Sequence, residues 1–205
     1  MTTTGCVLPR DTTPRPSLTS QRAVLLVAIG RYLRRARLQE VRDGVSELEI
    51  QKLAYLLQLL GAPLRLSFTR GRYGPYARAV SQVLDRLEGH YLIGFGDRSA
   101  SVTEFAPINL MPEGVKAAEE LLERHPADQA RLDALLELVD GFETPYSLEL
   151  LATVHFAGTQ NPSTAESSVL AERVAAWSLR KARMFTERHV QIAAERLREH
   201  RLLPA

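Results

Sequence analysis

The sequence predicts an α+β fold that is mostly helical: a winged-helix-like unit with a small antiparallel sheet, followed by a helical half. Three observations predict it. Ser46 to Gly61 reads as one helix with both ends written out; Leu64 to Leu110 runs strand, turn, helix, hairpin; and beyond Pro112 every apolar pattern has helical period. At 205 residues and 45 % hydrophobic, the chain is long enough for one domain with a real core. The expected division is a disordered tail or linker remnant over residues 1–17 and a single domain over 18–205.

Met1 to Arg15 is rich in Thr, Pro and Arg without periodicity, the composition of a tail. From Ser20 to Arg37, Leu25, Ile29, Tyr32 and Leu33 recur at helical spacing while Arg31, Arg34 and Arg35 fall off that stripe, predicting an amphipathic helix with a basic outer face. Ser46 and Glu49 then have capping-box spacing, Val45 and Ile50 can close a hydrophobic staple, and Gly61 with Pro63 ends the helix. Between Leu53 and Leu60 only Gln58 is polar, so this is a core helix. Leu64, Leu66 and Phe68 alternate with polar residues as in a half-buried strand, and GRYGPYA reads as a turn. Val80, Val83, Leu84 and Leu87 mark a helix closed by Gly89. A strand over Tyr91 to Phe95, a turn over Gly96 to Ser99 and a partner strand near Val102 to Leu110 follow.

Pro112 suits the first turn of the next helix, and Leu132, Leu135, Leu136 and Val139 mark another. Thr144 and Pro145 open a third, to about Phe156. Ser163 with Glu166 repeats the capping-box spacing before a stripe of Val169, Leu170, Val174 and Trp177, and Thr186 caps the last helix.

The net charge of +2 conceals a polarised distribution. Arg10 to Arg42 holds eight Arg against two acids, Glu104 to Glu149 eleven acids against three cations, and Glu172 to Arg201 eight cations against four acids. Such blocks are either solvated helix faces or a field directed at a partner. Cys6 is alone, which excludes an intrachain disulfide and any CxxC pair. Arg31 cuts the apolar run Ala23 to Gly30 well short of the ~20 residues a membrane span needs, and no signal-peptide pattern precedes it. The expectation is a soluble protein of the reducing cytoplasm, with no membrane contact.

Chemistry-bearing motifs are sparse. The five histidines form no HExxH or HxH pattern, GxSxG is absent, and GRYGPY matches neither phosphate-loop pattern. No metal, cofactor or catalytic residue is expected. Arg70, Arg72, Tyr73, Tyr76 and Arg78 cluster on one turn, followed by His90 and Tyr91. That composition suits stacking on unpaired bases or anchoring a protein partner, and equally a rigid turn whose tyrosines fill the core edge.

Five stretches in order, EIQKLAYLLQLLG (49–61), RYGPYA (72–77), RLEGHYLIGFGD (86–97), GFETPYSLELLATVH (141–155) and AAWSLRKARMF (175–185), resemble the C-terminal, toxin-neutralising region of the DarG antitoxins. The resemblance runs from about Ser17 to the end; KLAYLLQ with YGPY is also similar to the Panacea-type antitoxin domains. It implies an antitoxin that binds a DarT-type toxin, an enzyme that uses NAD to attach ADP-ribose to thymidine in single-stranded DNA. The family's ADP-ribose-removing macrodomain is not expected here, because only about twenty residues precede the first helix. The implied protein is therefore not an enzyme and takes no small-molecule substrate.

Its expected mechanism is DNA mimicry. The acidic interval Glu104 to Glu149 would enter the toxin's basic single-strand cleft. Tyr73, Tyr76, His90, Tyr91, Phe142, Glu143 and Tyr146, all inside the matching stretches, would anchor it. Gly74, Pro75 and Gly89 are expected to set shape and Trp177 to lie in the core. The alternative is a winged-helix-like nucleic-acid-binding or transcription-regulating protein using the arginine-rich first and last helices and the GRYGPYAR turn; weak DNA binding fits either.

Overall fold

Helix α1 (Ser20–Ala36) starts at Thr19, whose hydroxyl accepts the Arg22 N–H at 3.3 Å. Every side chain from Ala23 to Ile29 is buried, so α1 runs through the interior and is not amphipathic over its first turns. Arg31, Arg34 and Arg35 emerge only near its end. The computed structural model describes residues 14–38, 43–96, 107–160 and 167–204. Residues 1–13 of the tail expected over 1–17, the turn after Gly96, the first half of the strand near Val102 and the Ser163–Glu166 cap lie outside the described residues.

Helix α2 (Glu47–Leu59) carries the expected capping box: Ser46 Oγ accepts the Glu49 N–H, and the Glu49 carboxylate accepts the Ser46 N–H at 2.8 Å. Val45 and Ile50 are both buried. Gly61 ends the helix at φ +89°, a conformation only glycine adopts cheaply. Leu53, Leu56 and Leu57 are fully buried, a gain of about 1.5–3 kcal/mol each over exposure.

Leu64, Leu66 and Phe68 alternate with exposed residues as expected, yet they join no ladder. The Gln58 carboxamide takes the strand partner's place: it donates to the Leu66 carbonyl at 2.9 Å and accepts its N–H at 2.7 Å. The ladder begins only at β1 (Thr69–Gly71), antiparallel to β2 (Gly74–Tyr76), with Arg72 and Tyr73 at the tip. The predicted turn is thus itself a hairpin. Gly74, at φ +92°, makes it possible, because a Cβ there would stand 2.7 Å from Thr153 Oγ1. Helix α3 (Arg78–Leu87) follows, and β3 (Leu92–Ile93) pairs antiparallel with β4 (Asn109–Leu110).

The second half is helical: α4 (Pro112–Leu122), α5 (Pro126–Leu138), α6 (Pro145–Thr159), α7 (Ser167–Ala175), α8 (Leu179–Met184) and α9 (Glu187–Glu199). Thr144 and Thr186 cap α6 and α9 as expected. The six-residue α8, capped by Ser178, is an element the periodicity does not predict, and Trp177 lies between α7 and α8, half-buried. Helix α6 packs on α2 and α9, while α1 packs on α4 and α5. The fold is α+β and mostly helical, with two short antiparallel sheets among the described residues. No helix there is long and apolar enough to cross a membrane.

Candidate functional site

The chain places its most unusual chemistry beneath the β1–β2 hairpin, where α2, α6 and α8 each contribute a buried charge. Glu149 of α6 is 1 % exposed and accepts two bonds from Arg180, at 2.6 and 3.0 Å, and one from Lys181 Nζ at 2.6 Å. Lys181, fully buried, also donates to Thr153 Oγ1 at 3.1 Å. Lys52 of α2, 2 % exposed, donates to the Pro75 carbonyl of β2 at 2.7 Å. Burial would raise the Glu149 pKa, but the Arg180 and Lys181 bonds and charges outweigh it and hold the carboxyl below its ordinary value. Burial lowers the Lys52 pKa to about 7 despite the attraction of Glu149, and lowers that of Lys181. Glu149 is accordingly a fixed anion clamped between two cations, and Lys52 is a cation held at the margin of its charge.

On the solvent side of this cluster the hairpin and α8 form a ledge of arginines and aromatic rings. The Arg180 guanidinium lies 4.7 Å from the Tyr73 ring centre and Arg72 lies 5.4 Å from the same ring. Arg70 sits 4.8 Å over Trp177 and donates to the Ala176 carbonyl at 3.0 Å. Trp177 Nε1 donates to the Gly71 carbonyl at 2.9 Å, so two adjacent bonds, one donated from each side, tie the loop between α7 and α8 to the hairpin. Behind them Tyr55 and His155 share a buried hydrogen bond of 2.7 Å, and burial lowers the His155 pKa to about 4, so the ring is neutral at pH 7. Among the described residues no three His, Cys, Asp or Glu side chains converge as a metal site would require.

The seven residues singled out from the sequence fall in three places. Tyr73 is at the hairpin tip, half-buried, and Tyr76 at its foot is 39 % exposed, its hydroxyl 3.0 Å from Ser81 Oγ. His90 and Tyr91 precede β3; Tyr91 is buried and donates to the Pro16 carbonyl at 2.8 Å. Phe142 and Glu143 are buried before α6, and Tyr146 in its first turn donates to the Met184 carbonyl at 2.7 Å. Only Tyr73 joins the ledge. Lys52, Glu149, Arg180 and Lys181 escaped the sequence reading, although a lone charge inside an apolar helix, as in IQKLAYLL and SLELLAT, is the signature of a buried pair.

The acidic interval is also not the free, DNA-like face expected of it. Asp133 pairs with Arg31 at 2.9 Å, Glu119 with Arg34 at 3.3 Å, Asp140 with Arg35, and the buried Glu143 with Arg35 Nε at 3.1 Å. The basic face of α1 and the acids of α4, α5 and the approach to α6 are partners of each other.

No family model matches the chain. Among curated proteins it is 42 % identical over 192 residues, 93 % of its length, to a DNA ADP-ribosyl glycohydrolase of Thermus aquaticus. It is 37 % identical over 186 residues, 88 % of its length, to proteins of the same name from Mycobacterium bovis and Mycobacterium tuberculosis. The chain spans about half the length of these relatives, 49 % of the first and 53 % of the other two. These names are an enzyme's, and they overturn the reading of the chain as a non-catalytic, DarG-type antitoxin domain without a macrodomain. With it fall the DarT-like toxin as partner, inhibition by DNA mimicry, the absence of a small-molecule substrate, and the alternative of a winged-helix-like regulator. The motifs misled for a physical reason: they are the capped core helix, the hairpin and the entry to α6, which specify a scaffold and say nothing of what acts upon what.

Proposed function

We propose that this chain works in the hydrolytic removal of ADP-ribosyl groups from DNA, as part of a DNA ADP-ribosyl glycohydrolase. The observation that carries this is the 37–42 % identity, across about nine-tenths of the chain, to three proteins of that name. The ledge supports it. An ADP-ribosylated strand presents a diphosphate, a backbone of phosphates and flat bases, and arginines beside aromatic rings are the side chains suited to all three. Arg70, Arg72 and Tyr73 stand there on a hairpin held from beneath by Lys52 and from the side by Trp177. Action on DNA fits a cytoplasmic protein, as does the lack, among the described residues, of any helix long and apolar enough to cross a membrane.

The test is a short single-stranded oligonucleotide carrying one ADP-ribosyl group, compared with the same strand unmodified. Tighter binding of the modified strand, with free ADP-ribose accumulating over time, is the expected result. Equal binding of both strands with the modified one recovered intact overturns the assignment.

A further inference from the structure

Between Ile50 and Leu84 the sequence contains five cations, Lys52, Arg65, Arg70, Arg72 and Arg78, and no acid; between Arg173 and Thr186 it contains four cations and again no acid. The fold brings these two acid-free stretches together as the hairpin and α8, through the Trp177–Gly71 and Arg70–Ala176 hydrogen bonds and the Arg180–Tyr73 stack. Glu149, the anion beneath them, is inside, spent on Arg180 and Lys181. At the end of α1, Arg31, Arg34 and Arg35 are matched by acids, whereas Arg70, Arg72 and Arg183 are exposed and the first two lie over the rings of Trp177 and Tyr73.

Resting on the proposed function, we propose that this ledge is where the DNA of the substrate lies: a single strand, its phosphates on Arg70, Arg72 and Arg183 and a base stacked on Tyr73. The choice of a single strand follows from the shape of the groups. Tyr73 stands at the tip of a two-residue hairpin loop, between Arg72 and Arg180, and only an unpaired base can turn its face onto such a ring. Arg180 is fixed by its two bonds to Glu149, whereas Arg72 is exposed and can exchange its place over the ring for a base while its charge moves to the adjoining phosphate.

The test uses the full chain and a labelled, unmodified oligothymidylate, followed by fluorescence anisotropy across a salt series. Three phosphate contacts predict that log K falls with log[salt] at a slope of about −2, and that Arg72→Gln with Arg183→Gln removes about two-thirds of that slope. Tyr73→Ala weakens binding by about 5-fold or more at every salt concentration while leaving the slope unchanged. Lys116→Gln, exposed on α4 away from the ledge, leaves both unchanged. A slope untouched in the arginine double variant with wild-type melting temperature overturns the proposal, as does equal affinity for a duplex of the same length. Arg70→Gln provides a second charge deletion should the double variant melt early. Release of ADP-ribose from a modified strand, measured in the same samples, separates the two assignments. Release without affinity for the unmodified strand ends this proposal alone, and affinity without release ends the glycohydrolase assignment alone.

Discussion

Lys52 is the residue at which burial and the support of the hairpin meet most directly. In the unfolded chain it keeps its proton to about pH 10.5, and in the fold, desolvated behind the hairpin, it gives the proton up near 7. Between those values the unfolded state binds more protons, so this group makes stability rise with pH there, by at most about 1.4 kcal/mol per unit. Replacing Lys52 with Met removes the titration and the bond to the Pro75 carbonyl together. The variant is therefore expected to compare best with wild type below pH 7 and to fall behind it steadily toward pH 9, as urea unfolding at a series of pH values would record; parallel profiles would refute the burial argument. Glu149 acts in the same sense at lower pH, stability again rising with pH between its folded and its ordinary pKa. Its folded pKa lies below the ordinary value, so what it contributes is present above the ordinary carboxylate range and lost as pH falls through the folded pKa. Of this site the sequence displayed Arg70, Arg72 and Tyr73, because they crowd one turn. It hid Lys52, Glu149 and Lys181, because the first is bonded to β2 and the other two join α6 to α8, and no local pattern encodes either.

At the scale of elements, the hairpin depends on one glycine more than on its ladder. Gly74 has φ +92° and faces Thr153 Oγ1 at 2.7 Å and Lys52 Cε at 3.4 Å from where a Cβ would be; Gly141 has φ +78° with nothing within 4 Å. Both alanine substitutions strain the backbone by about 1 kcal/mol, but only Gly74→Ala must also push β2 away from α6. The expected outcome is a loss of about 3 kcal/mol for Gly74→Ala against about 1 for Gly141→Ala in thermal or urea unfolding, with similar losses counting against the close approach. The caps of α2, α6 and α9 were legible because each is settled within four residues: Ser46 with Glu49, Thr144 with Ser147, Thr186 with His189. Two elements were not. The extended stretch before β1 alternates like a strand but bonds to a side chain of α2, and α8 is too short to show a period, being fixed by Ser178 and by the burial of Lys181.

Across the whole molecule, the charge blocks of the sequence sort themselves by folding. The arginines at the end of α1 meet the acids of α4, α5 and the α6 approach, so part of the polarisation visible along the chain is cancelled in space. These pairs are unequal. Arg34 and Glu119 are both well exposed, at 58 % and 43 %, and such a pair is worth well under 1 kcal/mol. Arg35 reaches inward, pairing with the exposed Asp140 and with Glu143, whose side chain is wholly buried. Removing Arg35 takes a cation from a carboxylate that cannot turn to water, and the cost is that of an undercompensated buried charge, about 2–3 kcal/mol once the partial exposure of Arg35 is allowed for. Arg34→Ala is then expected to unfold within about 0.5 kcal/mol of wild type and Arg35→Ala at clearly lower urea. Because the loss arises from the stranded carboxylate, Glu143→Gln in the Arg35→Ala background should recover part of it. A double variant no better than Arg35→Ala alone would place the loss in the packing of the arginine stem, and the charge cancellation would then be an accompaniment of the fold and not one of its causes.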